Sequence, residues 1–420
     1  MKKLLALLLC LALLATGIFV LAACKNDGDE NTYDITVWVG EGTKDLTEQQ
    51  IAKFNETNEW GVTFNATVEI VSESKAIGDA SSKQQSAGDI ICFAQDQLAR
   101  AVRIKLLAPL NSASVTAIEK DNDQGSIDAT KIGGTIRAFP MTADNGYFMF
   151  YDKSVITDES HLNSLEDLIA DCEAAGRNFS MNLTETGGGW YAASFFYATG
   201  CKSEWTTDDS GNFTAYDDTF KSDEGLIALQ GMQKLLSSKA HIDSDKVSDF
   251  SAGTPSAVVV SGIWDYNAAK ATLRENLGVA PLPSFTVGEK SYQLVSYLGH
   301  KLMGVKQQND PHKALYLQKL AMYLTGAECQ LQRFQAVGWG PSIKDLQANS
   351  DVKASPSLAA LAASKTVLQG QYPSNWWSEM VVMTGSAYSR DKGAASESAL
   401  QGLLNDYFNA LPGLKIAQDD

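Results

Sequence analysis

The stretch from residue 34 to residue 93 restricts the possible folds more than any other part of the chain. Asp34-Ile-Thr-Val-Trp-Val39 alternates Ile35, Val37 and Val39 against Thr36 and Trp38, the period of a half-buried strand. It ends in Gly40-Glu41-Gly42, and Leu46, Ile51 and Phe54 then recur near helical spacing up to Asn58. Thr63 to Val71 alternates again, and Asp89-Ile-Ile-Cys-Phe93 is a short, wholly apolar run of the kind found where a sheet is covered on both faces. Strand, helix, strand, helix, strand in that order predicts a mostly parallel sheet flanked by helices, with right-handed crossovers.

The mixture continues downstream. Ser164-Leu-Glu-Asp167 has the form of a capping box opening a helix whose Leu165, Leu168, Ile169 and Cys172 share a face, with Gly176 closing it. Asp208-Asp-Ser-Gly211 reads as a turn between short extended pieces, followed by a helix from about Ser222 to Leu236. Ala257-Val-Val-Val-Ser261 reads as a buried strand, and Asp310-Pro311 as the cap and first residue of a helix. The last strong element runs through Leu400, Leu403, Leu404, Phe408 and Leu411 and is expected to stop before Pro412. At 420 residues the chain is too long for one core, and at about 100–200 residues per domain it holds two or three. No low-complexity linker separates them, so the lobes are expected to interleave.

The amino terminus places the chain outside the cytoplasm. Met-Lys-Lys, an apolar run from Leu4 to Ala23, and Leu21-Ala-Ala-Cys24 follow the order of a secretory signal, and the last four residues resemble the lipobox of bacterial lipoproteins. The expectation is a signal peptide over 1–23, a diacylated Cys24, and a flexible tether over 24–33. A single membrane-spanning helix is the alternative for an apolar run of about 20 residues. Once the signal is removed, 32 basic and 50 acidic side chains remain, a net charge of −18. Such a field does not attract polyanions, which argues against nucleic acid and anionic lipid surfaces as partners.

Several chemistries lack their residues. The four histidines, His161, His241, His300 and His312, are too scattered for a metal-binding pair. There is no phosphate-binding loop, no dinucleotide fingerprint and no nucleophile elbow. Asp121-Asn-Asp-Gln-Gly125 has the look of a calcium loop with its glycine misplaced and no glutamate at the twelfth position, and reads as a solvated acidic turn. Cys92, Cys172, Cys201 and Cys329 read as buried thiols, with a Cys172–Cys201 disulfide left open. No metal, cofactor or catalytic group is expected. Gly187-Gly-Gly189 reads as a flexible turn.

Aromatics and carboxylates carry the functional signal. Trp190, Trp264, Trp339 and the pair Trp376-Trp377 all lie outside apolar periodic runs. Ligands of open α/β sheets sit beyond the carboxyl ends of the strands, so a loop indole there suits a cleft wall, as much as it suits a core. Of Trp376 and Trp377, at least one is expected to face solvent or ligand. Sugars suit such walls because a pyranose offers an apolar face to a ring and hydroxyls to carboxylates. Glu41 after the first strand, Asp96 after the third, and Asp144 in Ala138-Phe-Pro-Met-Thr-Ala-Asp144 are candidate acceptors, or else turn and cap residues.

Set side by side, these segments resemble the extracytoplasmic solute-binding proteins of ABC importers, in the sugar-binding family that includes maltose- and maltodextrin-binding proteins. Ile35-Thr-Val-Trp-Val-Gly-Glu41 resembles the opening strand and sugar-contacting loop. Gly88-Asp-Ile-Ile-Cys-Phe-Ala-Gln-Asp96 resembles the stretch whose final aspartate bonds sugar hydroxyls. Ala138 to Lys153 resembles the first crossing between lobes. The most specific segment is Phe250-Ser-Ala-Gly-Thr-Pro-Ser-Ala-Val-Val-Val-Ser-Gly-Ile-Trp264-Asp-Tyr266, with Leu277-Gly-Val-Ala-Pro-Leu-Pro283 after it; there the tryptophan stacks on a glucosyl ring in the family. Two departures bear on the ligand: Asp96 is followed by Gln97 where the maltose binders have arginine, and Glu185 is followed by an inserted Gly-Gly-Gly-Trp190.

The resemblance implies an α/β fold of two lobes (periplasmic-binding-protein-like, type II), each a mixed, mostly parallel sheet flanked by helices, with the ligand between them. It implies a first lobe of 34–143 plus 297–341, a second of 144–296 plus 342–420, and crossings near 143–146, 293–297 and 340–344. The implied site is Glu41, Asp96, Asp144, Glu185, Trp190, Trp264, Tyr266, Trp376 and Trp377. The implied function is capture of an oligosaccharide, foremost a maltodextrin-type α-glucan, by hinge closure and delivery to the permease subunits, by a monomer tethered to the outer face of the cytoplasmic membrane. A binder of another oligosaccharide or of a small polar solute such as a peptide is the nearer alternative, and a surface glycosidase the more distant one.

Overall fold

Ten strands build two sheets in a computed structural model that describes residues 31–417. They are β1 (Thr32–Val39), β2 (Thr63–Ile70), β3 (Ile90–Ala94), β4 (Phe139–Pro140), β5 (Tyr147–Asp152), β6 (Asn178–Ser180), β7 (His241–Ile242), β8 (Ser256–Gly262), β9 (Leu277–Ala280) and β10 (Lys301–Val305). The first sheet has the order β2-β1-β3-β10-β4 and the second β7-β6-β8-β5-β9. Within each, three neighbouring strands are parallel and the fourth runs against them. The reversed strand is in both cases the one by which the chain arrives from the other sheet, β5 in the second and β10 in the first. The signal peptide, Cys24 and most of the expected tether lie outside the described residues.

Local sequence accounts for these elements. Ile35, Val37 and Val39 bury one face of β1, and Trp38 buries the other while its indole N–H donates to Glu69 at 2.9 Å. All five residues of β3 are buried, as a central strand covered on both faces requires. Ser164 accepts the backbone N–H of Asp167, and the helix Leu165–Ala175 ends at Gly176 in the left-handed conformation, φ 62°. Asp310 caps Pro311–Leu324 by accepting the N–H of His312. Asp123, in the acidic turn, caps the short helix after it through Ser126. Its carboxylate therefore serves backbone structure, and among the described residues no group of side chains suits a metal. Cys172 and Cys201 are separate buried thiols, as are Cys92 and Cys329.

Two expectations are corrected. The last helix, Glu397–Ala417, runs through Pro412. The proline removes one amide donor, while Leu411 and Leu414 on either side are buried and hold the turn in place. The glycines at 187–189 are more than a loose turn: Gly188 and Gly189 open the helix Gly188–Thr199. A Cβ on Gly189 would lie 2.4 Å from the Trp377 carbonyl oxygen, so the glycine lets the helix Trp376–Gly385 pack directly against this one.

The passages between the sheets are bonded to one another. Asn145 and Gly299 exchange backbone hydrogen bonds of 3.0 and 3.1 Å, and the Ala143 N–H donates to the Gly340 carbonyl at 3.0 Å. After Pro341 the chain stays with the first sheet for some residues: Ser342 donates to Asn122, and Gln347 to Asp123. The hairpin of Ser203–Thr207 and Phe213–Asp218 reaches from the second half back to the first. Its turn seats Gly211 so close to Leu98–Arg103 that a Cβ would lie 2.2 Å from the Ala99 carbonyl oxygen, and Arg137 donates to the Asp209 carbonyl at 3.0 Å.

Candidate functional site

The parallel strands of both sheets end toward the same intervening space. From the first sheet, β1 ends in Gly40-Glu41, β2 leads to Glu73, and β3 leads to Asp96. From the second, β6 leads to Asn182 through Glu185, β7 to Asp243 and Asp245, and β8 to Trp264, Asp265 and Tyr266. This is where the strand-end rule for α/β sheets puts a ligand.

The Gly262-Ile-Trp264 motif has a steric cause. A Cβ on Gly262 would lie 2.1 Å from the outer edge of the Trp264 ring, so only glycine lets the indole fold back over the strand end. Trp264 lies 5.8 Å from Trp190 between ring centroids. Trp190 in turn stacks on Tyr297, at 6.1 Å and 4°. Tyr297 meets Trp377 edge-on at 6.0 Å, and Trp377 meets Tyr372 at 5.0 Å. The Tyr147 hydroxyl donates to the Trp190 carbonyl at 3.1 Å and fixes the start of that helix. A continuous string of rings thus runs from β8 of the second sheet to Trp377.

At the far end of this string the two halves meet. The Trp377 indole N–H donates to Asp96 Oδ2 at 3.2 Å. Burial pushes the Asp96 carboxyl up to about 6, against the lowering effect of that indole bond. A cavity of about 270 Å³ opens beside this pair, with Lys75, Gln97 and Arg100 on the first-sheet side and Tyr372 and Ser374 on the other. On the opposite flank, burial raises the Asp265 carboxyl, and the negative charges of Asp245 and Glu41 add to the effect, against a 2.6 Å hydrogen bond from Ser261. Glu41 is exposed, and this coupling connects it from the first sheet to the acidic loops of the second.

Beneath the rings sits an ion pair. Lys301 is 4% exposed; its ammonium lies 3.1 Å from Glu73, 3.5 Å from the Trp339 ring centroid and 5.6 Å from that of Trp264. Glu73 fits against Gly40, where a Cβ would overlap the carboxylate. A buried charge has to be paired, and here two indole faces and one carboxylate do it.

Of the residues expected from the sequence, Asp96, Trp190, Trp264 and Trp377 come together in this arrangement, with Glu41 at its edge. Glu185 is exposed in the turn that precedes Gly188, and Tyr266 is half-buried with its ring against Phe150 and the Lys270 ammonium, apart from the string. Two residues are elsewhere. Trp376 has no exposed surface: it stacks on Tyr372 at 4.3 Å and donates to the Tyr407 hydroxyl at 2.8 Å, which makes it a core residue. Asp144 is also fully buried, and its Oδ2 accepts the Gly340 N–H at 2.6 Å, binding one passage between the sheets to another. Glu73, Lys301, Tyr297 and Tyr372 were not among the expected residues. Glu73 follows the end of β2 just as Glu41 and Asp96 follow β1 and β3, so the same rule points to it; a lone lysine in the apolar run of β10 is the signal for Lys301.

Residues 49–360 match the model of a family described as bacterial extracellular solute-binding protein. No curated protein matches the chain. Among solved structures, one determined with acarbose is 24% identical, with a TM-score of 0.78, and the alignment covers 90% of this chain and 98% of that one. The maltodextrin-binding protein MalE1 from L. casei BL23 is 19% identical with a TM-score of 0.76, covering 92% of this chain and all of its own. A cyclo/maltodextrin-binding protein in complex with maltotetraose is 20% identical with a TM-score of 0.68, covering 94% and 100%. At these identities the likeness is one of fold, and it extends over nearly the whole chain.

Proposed function

The chain belongs to the bacterial extracellular solute-binding protein family, and from that membership we propose that it captures an oligosaccharide, foremost a maltodextrin-type α-glucan, between its two lobes and passes it unchanged to an ABC permease. The observation that carries the sugar reading is the string Trp264–Trp190–Tyr297–Trp377 ending on the Asp96 carboxylate. The partly exposed rings of Trp264, Trp190 and Trp377 take the apolar faces of successive pyranoses, the wholly buried Tyr297 backs them, and carboxylates at the ends and edges accept the hydroxyls. The solved relatives with acarbose and maltotetraose support the same class of ligand.

In this reading the lobes divide as the sequence suggests, about the sheets of 34–143 and 144–296, and the bonded passages at Ala143–Asn145, Gly299 and Gly340 serve as the hinge. A ligand that touches both lobes shifts the hinge equilibrium by its differential contacts and by no more than that. Nothing in the proposal requires bond-making on the sugar. Cys24 carries the lipid, and the protein works as a monomer on the outer face of the cytoplasmic membrane. Isothermal calorimetry of the mature protein against maltose through maltoheptaose, other oligosaccharides and a peptide mixture tests the reading. Saturable 1:1 binding of a glucan that weakens on Trp264→Ala is expected; binding of peptide and of no sugar would reject it.

A further inference from the structure

The loop that carries Asp96 is held by a residue of the other half of the molecule. Gln371, in the segment between the strand Thr366–Leu368 and the helix Trp376–Gly385, uses both ends of its amide on it. Its Nε2 donates to the Gln95 carbonyl at 2.9 Å, and its Oε1 accepts the Ala99 N–H at 2.8 Å. These bonds bracket Asp96, one on the residue before it and one three residues after it. The same segment makes a further bond, since Gln95 Nε2 donates to the Gln369 carbonyl at 2.5 Å. On its other side the loop is fixed to the hinge: the Gln95 N–H donates to the His300 carbonyl at 3.0 Å, and its Oε1 lies 2.8 Å from His300 Nδ1. The segment is itself carried by the second half, because helix Trp376–Gly385 packs against Gly189.

A carboxylate that accepts sugar hydroxyls has to be held in place while the ligand is bound, or the cost of ordering it is taken from affinity. Asp96 does not provide this for itself, because beyond its own backbone amide its carboxylate is held by the Trp377 indole, which belongs to the other half. Gln371 supplies it, and since it spans from the second half to the first, its two bonds also resist separation of the halves on the Asp96 side.

We propose that Gln371 is a positioning residue that locks the Asp96 loop across the cleft and thereby sets the lifetime of the bound ligand. The inference rests on the sugar-binding reading above. Opening has to break the bracket, so its loss acts on dissociation, while encounter with the open form is unaffected.

The test compares the whole mature protein with Gln371→Met, which keeps the side-chain volume and removes both bonds. Hydrogen exchange without sugar reads the bracket itself: the Ala99 amide is expected to exchange on the order of tenfold faster or more, with amides of Ser256–Gly262 unchanged as a control for folding. Stopped-flow tryptophan fluorescence with maltotetraose reads the function: a dissociation rate constant raised on the order of tenfold is expected from two lost hydrogen bonds, with the association rate constant within about twofold of the parent. Unchanged exchange at Ala99 overturns the bracket. Faster exchange with an unchanged dissociation rate reduces Gln371 to a structural role and overturns the inference alone. No sugar binding by the unaltered protein overturns the functional reading and the inference together.

Discussion

Replacing Asp96 by Asn separates what this residue does for binding from what it costs the fold. Its carboxyl titrates at about 6 instead of the ordinary 3.8, chiefly because burial disfavours the charge. An acid with a raised folded-state pKa destabilises the fold fully above the folded pKa, and the penalty disappears as pH falls below the unfolded pKa. Here that window lies between about 6 and 3.8. At 1.36 kcal/mol per unit the shift amounts to about 3 kcal/mol, and the partial exposure of Asp96 brings it to about 2 kcal/mol. Asparagine has no charge to bury, and its carbonyl still accepts the Trp377 N–H. Urea unfolding at pH 7.5 is therefore expected to show Asp96→Asn more stable than the parent by about 2 kcal/mol, with most of the difference gone at pH 4. At the same time sugar affinity at pH 7.5 falls by at least tenfold, because a charged acceptor is replaced by a neutral one. A variant no more stable than the parent at pH 7.5, or a stability gain that persists in full at pH 4, would refute the desolvation argument.

Other substitutions test the remaining assignments. Trp376→Ala should cost about 3–5 kcal/mol in denaturant unfolding, the range for truncating a buried tryptophan, whereas Trp377→Ala should cost less and act mainly on sugar affinity. Asp144→Asn keeps an acceptor for the Gly340 N–H, so its sugar affinity should stay within about threefold of the parent by calorimetry, while Asp144→Ala should lose about 1–3 kcal/mol of stability in denaturant unfolding. Gly211→Val puts a branched side chain at φ +82° with its Cβ 2.2 Å from the Ala99 oxygen; limited proteolysis should then cut faster within 208–212. Trp264→Ala should weaken glucan binding by about 2 kcal/mol, or roughly thirtyfold, in calorimetry.

Much of this molecule is visible in short stretches of sequence because short-range chemistry sets them. Ser164 and Asp310 cap their helices within three residues, and Gly262 makes room for an indole two residues on. The strand-end rule leads to Asp96 and Trp264 for the same reason, since each follows its strand directly. The roles that escape a reading of the chain depend on distant partners. Asp144 meets Gly340 from 196 positions away. Lys301 needs both Glu73 and Trp339 to be buried as a charge, and no local pattern brings the three together. Trp376 and Trp377 are adjacent on one helix and so project about 100° apart; which of them enters the core is decided by Tyr372 and Tyr407, not by the pair itself. Pro412 shows the converse, a strong local stop signal overridden by the burial of Leu411 and Leu414.

The central claim is that a sugar lies on the string of rings with its hydroxyls on Asp96, and a crystal structure of the mature protein grown with maltotetraose tests it most directly. The account predicts glucosyl rings in van der Waals contact with Trp264 and Trp190, and a hydroxyl within 3.2 Å of an Asp96 oxygen, the upper limit of an ordinary hydrogen bond. A tetrasaccharide bound with these residues untouched, or an empty cleft at saturating sugar, would contradict it.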